Sequence, residues 1–403
     1  MSAWLPKVRV AACNVAPVFL DTAKTVQKTV SLIREAASNR ADLVVFPETY
    51  IPAFPLWVRT MWDCRPGIVV MLNKTQQAAI SAPIDNHNFF SRLAQESLLI
   101  DGKEMRTLQQ ACAQNHIYAH IGFNERSPHS LGCLWNSSVL ISDSGQILNH
   151  HRKLMPTFYE KLVWSPGDGA GLRVVDTQRL GKIGSLICGE NTNPLARWSL
   201  MAQGEQLHIS SWPPVWPTRR VTTAAGKDAA AGAAGKQYDN LAANRTRSAA
   251  HCFEAKCFGV LCSGFMDKAM RNELIKHAPE AAATLDGITQ GASLFLDPTG
   301  AQVGEEVVGE EGIAYGELDL NATIEGKQFH DVVGTGYQRY DIFDLRVNRR
   351  RLGPEGVFGE ERREEMPAAS PPPRFEEQKE EPRVTAPRAA STTGHGVGGL
   401  RII

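Results

Sequence analysis

Short apolar runs recur along this chain, at residues 7–15 (KVRVAACNV), 41–46 (ADLVVF), 116–123 (HIYAHIGF), 181–188 (GKIGSLIC), 205–212 (EQLHISSW) and 257–263 (CFGVLCS). They have the length of strands, and their near-continuous apolar character is that of strands covered on both faces. Between them lie stretches with helical spacing. Residues 22–38 place Val26, Val30, Ile33 and Ala36 on one face, and 104–115, 194–203 and 241–255 read the same way. Two hairpins interrupt the alternation. One joins 134–141 to 147–152 through Ser142-Asp143-Ser144-Gly145, and the other turns at Asp297-Pro298-Thr299-Gly300 between 293–296 and 303–315. Alternation broken by hairpins calls for an α/β fold with mixed β-sheets covered by helices in layers, not a purely parallel doubly wound sheet.

The periodic pattern stops near Arg351. Residues 1–352 are therefore expected to form the folded domain. Residues 353–403, built around PAASPPPRFEEQKEEPR, are expected to form a disordered Pro/Glu-rich C-terminal tail, because such a composition buries too little to order itself. Residues 222–235, rich in Ala and Gly, read as a surface loop or a weak helix. Lys+Arg and Asp+Glu balance at 43 each, which gives no reason to expect nucleic acid or a membrane as partner. No signal-peptide pattern opens the chain, and no apolar run reaches the ~18–20 residues of a membrane span. The 8 cysteines are scattered without a CxxC pair, so neither a disulfide framework nor a zinc site is expected, and a reducing, cytoplasmic setting is. The histidines His116, His120, His150 and His151 show no ligand spacing, and core or surface roles are expected for them.

Three apolar runs end abruptly in a polar side chain. ADLVVFPE ends in Glu48, QILNHHRK in Lys153 and GKIGSLIC in Cys188. Strand ends are where a chain leaves the packed core and exposes side chains, and sites collect there. A carboxylate, an ammonium and a thiol brought together form a nucleophilic set: base, charge stabiliser and nucleophile. Each also has a plainer reading: Glu48 as a cap or a solvated carboxylate, Lys153 with Arg152 as a basic surface pair, Cys188 as a small core residue. NTNP after Cys188 reads as a turn into a helix, whose N-terminus would lower the thiol pKa.

FPE at Glu48, HRKLMPTFYE at Lys153 and LICGEN at Cys188, in this order, resemble the signatures of the nitrilase superfamily. VWSPGDGAGL (163–172), NPLARWSLMAQGEQLHISSWP (193–213) and RSAAHCFEAKCFGVLCSG (247–264) agree with it. PTFYEKLVW…GDG and Glu190 make the chain similar to the nitrilase branch, including fungal and bacterial arylacetonitrilases. The resemblance implies a four-layer αββα sandwich and homodimers that extend into spiral filaments. It implies Glu48 as general base, Lys153 as charge stabiliser, Cys188 as nucleophile and Glu160 as a second glutamate that positions groups and relays protons, with Glu160 as a surface partner of Lys161 the plainer reading. The implied reaction hydrolyses a nitrile to carboxylic acid and ammonia through a covalent thioimidate and thioester, with no cofactor and no metal. Rivals are amide release (a cyanide or nitrile hydratase), an amidase, and a non-catalytic filament scaffold.

Two features bear on substrate. Gly189 stands where the nitrilase branch typically carries Trp, and loss of an indole is expected to enlarge the pocket. The aromatic stretch 50–62 (YIPAFPLWVRTMW) resembles the family loop at the entrance, with plain packing as the other reading. An aromatic pocket favours aryl or arylaceto nitriles. Near the end, Arg339 and Asp341 match the family pattern, while its usual His and Pro are absent.

Overall fold

The computed structural model describes residues 5–57, 87–177, 179–217, 239–334 and 337–351. Residues 222–235 and the expected tail 353–403 lie outside the described residues.

The pleat of the first strand, β1 (Lys7–Asn14), sets the layering. Successive side chains leave a strand on opposite faces. Ala11 and Cys13 point to one core, with β2 (Leu43–Val45), β3 (Tyr118–Arg126) and β4 (Leu134–Ile141) behind them and helices α1 (Thr22–Ser38) and α3 (Lys103–Asn115) in front. α2 (His87–Glu96) lies between those two helices in sequence. Val8, Val10 and Ala12 point to a second core, against Ile183, Leu207, Ile209, Val260 and Phe295 of the other sheet. The first sheet runs β12-β1-β2-β3-β4-β5, with β5 (Ile147–Arg152) at one edge and β12 (Gly312–Asp319) at the other. The second runs β11-β10-β9-β8-β7-β6, from β6 (Val175–Thr177) and β7 (Gly181–Ile187) through β8 (Leu207–Trp212), β9 (Phe258–Ser263) and β10 (Ala292–Leu296) to β11 (Gln302–Val308). Its outer face is covered by α4 (Pro194–Met201) and α5 (Asn240–Ala255), through Leu186 with Leu200 and Ile187 with Cys252. α6 (Lys268–His277), α7 (Ala282–Asp286) and α8 (Thr323–His330) complete the described helices.

The result is a four-layer αββα sandwich, and both sheets mix parallel and antiparallel pairs. One expectation is corrected. Residues 303–315 are not one arm of a late hairpin. Gly309, at φ 69°, breaks them: β11 pairs with β10 in one sheet, while β12 crosses to pair with β1 in the other.

Candidate active site

Glu48, Lys153 and Cys188 all lie at carboxyl ends of strands, but from two sheets. Lys153 follows β5, Glu48 lies just beyond β2, and Cys188 follows β7 across the sandwich. The segment bearing Glu48 lies directly on β3. A Cβ at Gly122 would sit 2.1 Å from the Pro47 carbonyl and 3.0 Å from the Glu48 Cα, so only glycine allows the approach. Thr49 then turns at φ 44°.

The Lys153 ammonium is the centre. Its Nζ donates to Glu48 Oε1 at 2.7 Å and to Glu160 Oε2 at 2.7 Å, and all three side chains are buried. Asn136 Nδ2 donates to the same Glu48 oxygen at 2.7 Å. Among the described residues Glu48 Oε2 and Glu160 Oε1 find no hydrogen-bond partner, which leaves each carboxylate one oxygen to accept a proton. Glu160 is thus not a surface partner of Lys161. The backbone N–H of Thr157 donates to it at 2.7 Å across a short 3₁₀ turn that holds it inward. Lys153 and Arg152 are no surface pair either: Arg152 turns away into Glu125 and stacks 3.7 Å over the Trp135 ring. Burial, and then the charge of Glu48, push the Glu160 carboxyl up to about 7 against the opposing pull of Lys153, so it can hold or release a proton near neutral pH. Burial works to lower the Lys153 pKa, but the negative charges facing it win and hold it well above its ordinary value.

A carboxylate oxygen of Glu48, one of Glu160 and Cys188 Sγ all lie within 4.8 Å of one another. Cys188 is buried and sits at φ 51°, a conformation that a non-glycine residue seldom holds. Phe158 and Thr49 are left-handed too, so each segment of the site carries one such turn. The expected lowering of the thiol pKa is not what the structure produces. Burial, then the charge of Glu48, push the Cys188 thiol well up, and Lys153 only partly opposes them. The first free N–H groups of α4, Leu195 N and Ala196 N, go to the Asn193 side chain that caps it and not to the thiol. Cys188 is therefore a thiol beside the Glu48 carboxylate. What the arrangement can do is transfer that proton to a carboxylate as sulfur attacks an electrophilic carbon, with the ammonium set to meet the negative charge that develops.

A sequence model of the Carbon-nitrogen hydrolase family matches residues 9–328. The chain is 31% identical over 379 residues to an Aspergillus niger arylacetonitrilase, covering 93% of this chain and 100% of the relative. It is 32% identical over 350 residues to a Stereum hirsutum cyanide hydratase, covering 86% and 85% of the two chains. The crystal structure of Saccharomyces cerevisiae Nit3, a member of branch 10 of the nitrilase superfamily, aligns with a TM-score of 0.55 at 17% identity, over 84% of this chain and 97% of that one. The chain belongs to the carbon–nitrogen hydrolase family.

Beside Glu160 this hydrolase has a concavity walled by Phe54, Leu56, Tyr159 and Trp216. The stretch 50–62 divides between the two readings as far as it is described. Tyr50 stacks on Phe46 in the core and Trp57 on Phe89, whereas Phe54 to Leu56 reach the concavity. Residues 58–62 lie outside the described residues. The space beside Gly189 is not open, as expected of a lost indole. Thr157 Oγ1 lies 2.7 Å from where a Cβ would stand, so Thr157 occupies it. Arg339 and Asp341 form a bidentate pair with each other on the surface, 2.8 and 2.7 Å, away from this centre.

Asn136 escaped the sequence reading, and Glu190 entered it only as a mark of the resemblance, without a role. Asn136 lies mid-strand in LWNSSVLI, and a run of buried polar residues in an otherwise apolar strand is the only signal it gives. Glu190 accepts from His151 Nε2 at 2.8 Å, Leu154 N at 2.6 Å and Ile187 N at 2.8 Å, tying the segments that bear Lys153 and Cys188 together. Among the described residues two clusters bring metal-ligating atoms close: Glu48, Glu160 and Cys188, and Glu205, His208 and His251. In the first, the Lys153 ammonium already bridges the two carboxylates; in the second, each Glu205 oxygen already accepts from a histidine at 2.7 Å.

Proposed function

We propose that this chain is a nitrilase that hydrolyses an aryl or arylaceto nitrile to the carboxylic acid and ammonia. The observation that carries the reading is Lys153 clamped 2.7 Å from both Glu48 and Glu160, with the Cys188 thiol within 4.8 Å of the carboxylates. Glu48 takes the thiol proton as sulfur adds to the nitrile carbon. The nitrogen gains that electron pair, and Lys153 and a protonated Glu160 meet the charge. Glu48 passes the thiol proton on to that nitrogen and, a carboxylate again, activates the water that adds to the thioimidate. Protonated nitrogen leaves as ammonia, and a second water splits the thioester to the acid and restores the thiol. A thiol held protonated by burial suits this order, because its proton moves only as the electrophile arrives. The aromatic walls of the concavity favour an aryl-bearing substrate, and the likeness to an arylacetonitrilase supports the same choice.

The rival with an observation behind it is amide release on the same residues, since one relative is a cyanide hydratase. It requires sulfur to leave before nitrogen. Self-association belongs to this reading too. Leu195, Phe253, Tyr337 and Tyr340 are exposed, and Trp198 meets Tyr340 at 5.9 Å while Phe253 meets His330 at 5.7 Å, which gives an aromatic face suited to a homodimer that extends into a spiral.

The test is turnover of phenylacetonitrile, benzonitrile and cyanide, with products identified and Cys188→Ala as control. Acid plus ammonia from an arylaceto nitrile is expected, with loss of at least about 10³-fold in the variant. Amide as sole product, or full turnover by Cys188→Ala, overturns the reading.

A further inference from the structure

A line of buried side chains runs from Glu205 to the turn that bears Cys188. Glu205 Oε1 lies 2.7 Å from His208 Nδ1 on β8, and Glu205 Oε2 lies 2.7 Å from His251 Nε2 on α5. His208 Nε2 is 2.8 Å from Asn191 Oδ1. Asn191 Nδ2 reaches the backbone carbonyls of Cys188 at 3.0 Å and Leu186 at 3.3 Å. All four side chains are essentially without solvent contact.

The protons in this line follow from its acceptors. The Cys188 and Leu186 carbonyls can only accept, so they fix the Asn191 amide with its nitrogen toward them and its oxygen toward His208. His208 Nε2 must then donate. Its Nδ1 faces a carboxylate that also accepts from His251, and burial of that carboxylate is outweighed by the two histidines, which hold it down to about 2. His208 is thus gripped at both ring nitrogens, by the Glu205 carboxyl on one side and the Asn191 amide on the other.

We propose that His208 is a positioning residue of this enzyme: a buried ring, held by Glu205, that fixes the Asn191 amide and through it the left-handed turn presenting Cys188. The φ of 51° at Cys188 is the conformation the turn leaves first if nothing holds the Cys188 carbonyl. Asn191 holds it, and Asn191 cannot rotate while His208 donates to its oxygen. The thiol is then kept against Glu48 and Lys153. His120 is the further titratable group near His208. Burial first, then the charges of His151 and His208, hold it down to about 3, so it is neutral and does not compete for the Asn191 oxygen.

The proposal rests on Cys188 being the nucleophile, and two readouts on the full chain keep the two ideas apart. The first is the rate of carbamidomethylation of Cys188 by iodoacetamide, followed by peptide mass spectrometry, which needs no substrate. The second is kcat and KM on phenylacetonitrile. The variants are Asn191→Asp, which keeps the pair with His208 but turns a second oxygen toward the two carbonyls, and the double variant Glu205→Gln/His208→Gln, which removes the carboxyl and the imidazole together and strands neither. Displaced from its base and cation, the thiol is expected to alkylate about tenfold more slowly or worse, with kcat lowered at least as much and KM within about threefold. His251→Gln, which leaves the His208–Asn191 contact in place, is expected to cost less than either at equal thermal stability. Wild-type alkylation in a folded variant, or a His251→Gln loss equal to the others, overturns the proposal. If the unmodified enzyme turns over no nitrile but alkylation still slows in the variants, the proposed substrate class falls and the positioning role stands.

Discussion

At the scale of single residues, Lys153 shows how a buried charge becomes usable. A lone ammonium in a dry interior is costly, but here it meets two carboxylates at 2.7 Å and each keeps one oxygen unpartnered among the described residues. That balance depends on where the backbone carries Glu48, and so on Gly122. A methyl group there meets the Pro47 carbonyl at 2.1 Å and the Thr49 nitrogen at 2.8 Å, and neither backbone atom can swing aside. Gly122→Ala is expected to lose about 1–3 kcal/mol of stability and about 10²-fold in kcat, because the base is displaced. Gly132→Ala, with nothing within 4 Å of the new methyl, is the matched control and should leave both unchanged. Steady-state kinetics and thermal melts of the two variants decide it; wild-type kcat in Gly122→Ala would sink the argument.

At the scale of elements, most strands and several helices could be read from the apolar periodicity, because β1, β7, β8 and β9 are buried on both faces and α1 on one. What periodicity could not reveal was partnership. Nothing in residues 302–319 says that β11 and β12 belong to different sheets; that choice is made by what each strand packs against. The site divides likewise. Glu48, Lys153 and Cys188 stood out as polar endings of apolar runs, and Glu160 through a motif. Asn136, Asn191 and His208 look like ordinary polar residues until the fold brings them to their acceptors.

The joints between elements also set the response to acid. Burial works to raise the Glu125 pKa, but hydrogen bonds from His150 and Arg152 outweigh it and hold it at about 2; Glu205 is held at about 2 by His208 and His251. Both carboxyls bind fewer protons folded than unfolded below their ordinary 4.5, so their stabilisation is full above that pH and is lost as pH falls toward 2. His120, held down to about 3, acts in the same sense from its ordinary 6.5 downward. Glu160, raised to about 7, acts in the opposite sense between 4.5 and 7 and offsets it there. Melting temperature should therefore change little from about pH 7 to pH 5 and fall steeply below about pH 4.5. An equal melting temperature at about pH 3.5 and pH 6 in a fluorescence melt would contradict this.

At the scale of the whole molecule, no helix among the described residues is long and apolar enough to cross a membrane, and the cysteines among them are free thiols. The aromatic face around α4, α5 and residues 337–343 departs from an ordinary polar surface, with Tyr337 64% and Phe343 67% exposed. If it joins copies of the chain, Phe253→Glu/Tyr337→Glu should shift the species seen by light scattering after size exclusion to a smaller mass, with the melting temperature of the subunit kept. An unchanged mass in a folded variant would place the contact elsewhere.

The crossing of β12 to the first sheet has a consequence for how the chain is made. Among the described strands β1 leaves the ribosome first, yet its antiparallel partner is the last of them, with Lys7 opposite Asp319 and Asn14 opposite Gly312. On that side β1 stays an open edge until nearly the whole domain has been synthesised, and no local hairpin can close it sooner. Glu48, Lys153 and Cys188 are encoded well before β12, so the proposed reactive groups are complete in sequence long before the sheet that carries Glu48 is closed. A chain stalled or cut before Gly312 would carry all the reactive groups on a sheet with an unprotected edge, a species for chaperones to hold rather than an enzyme.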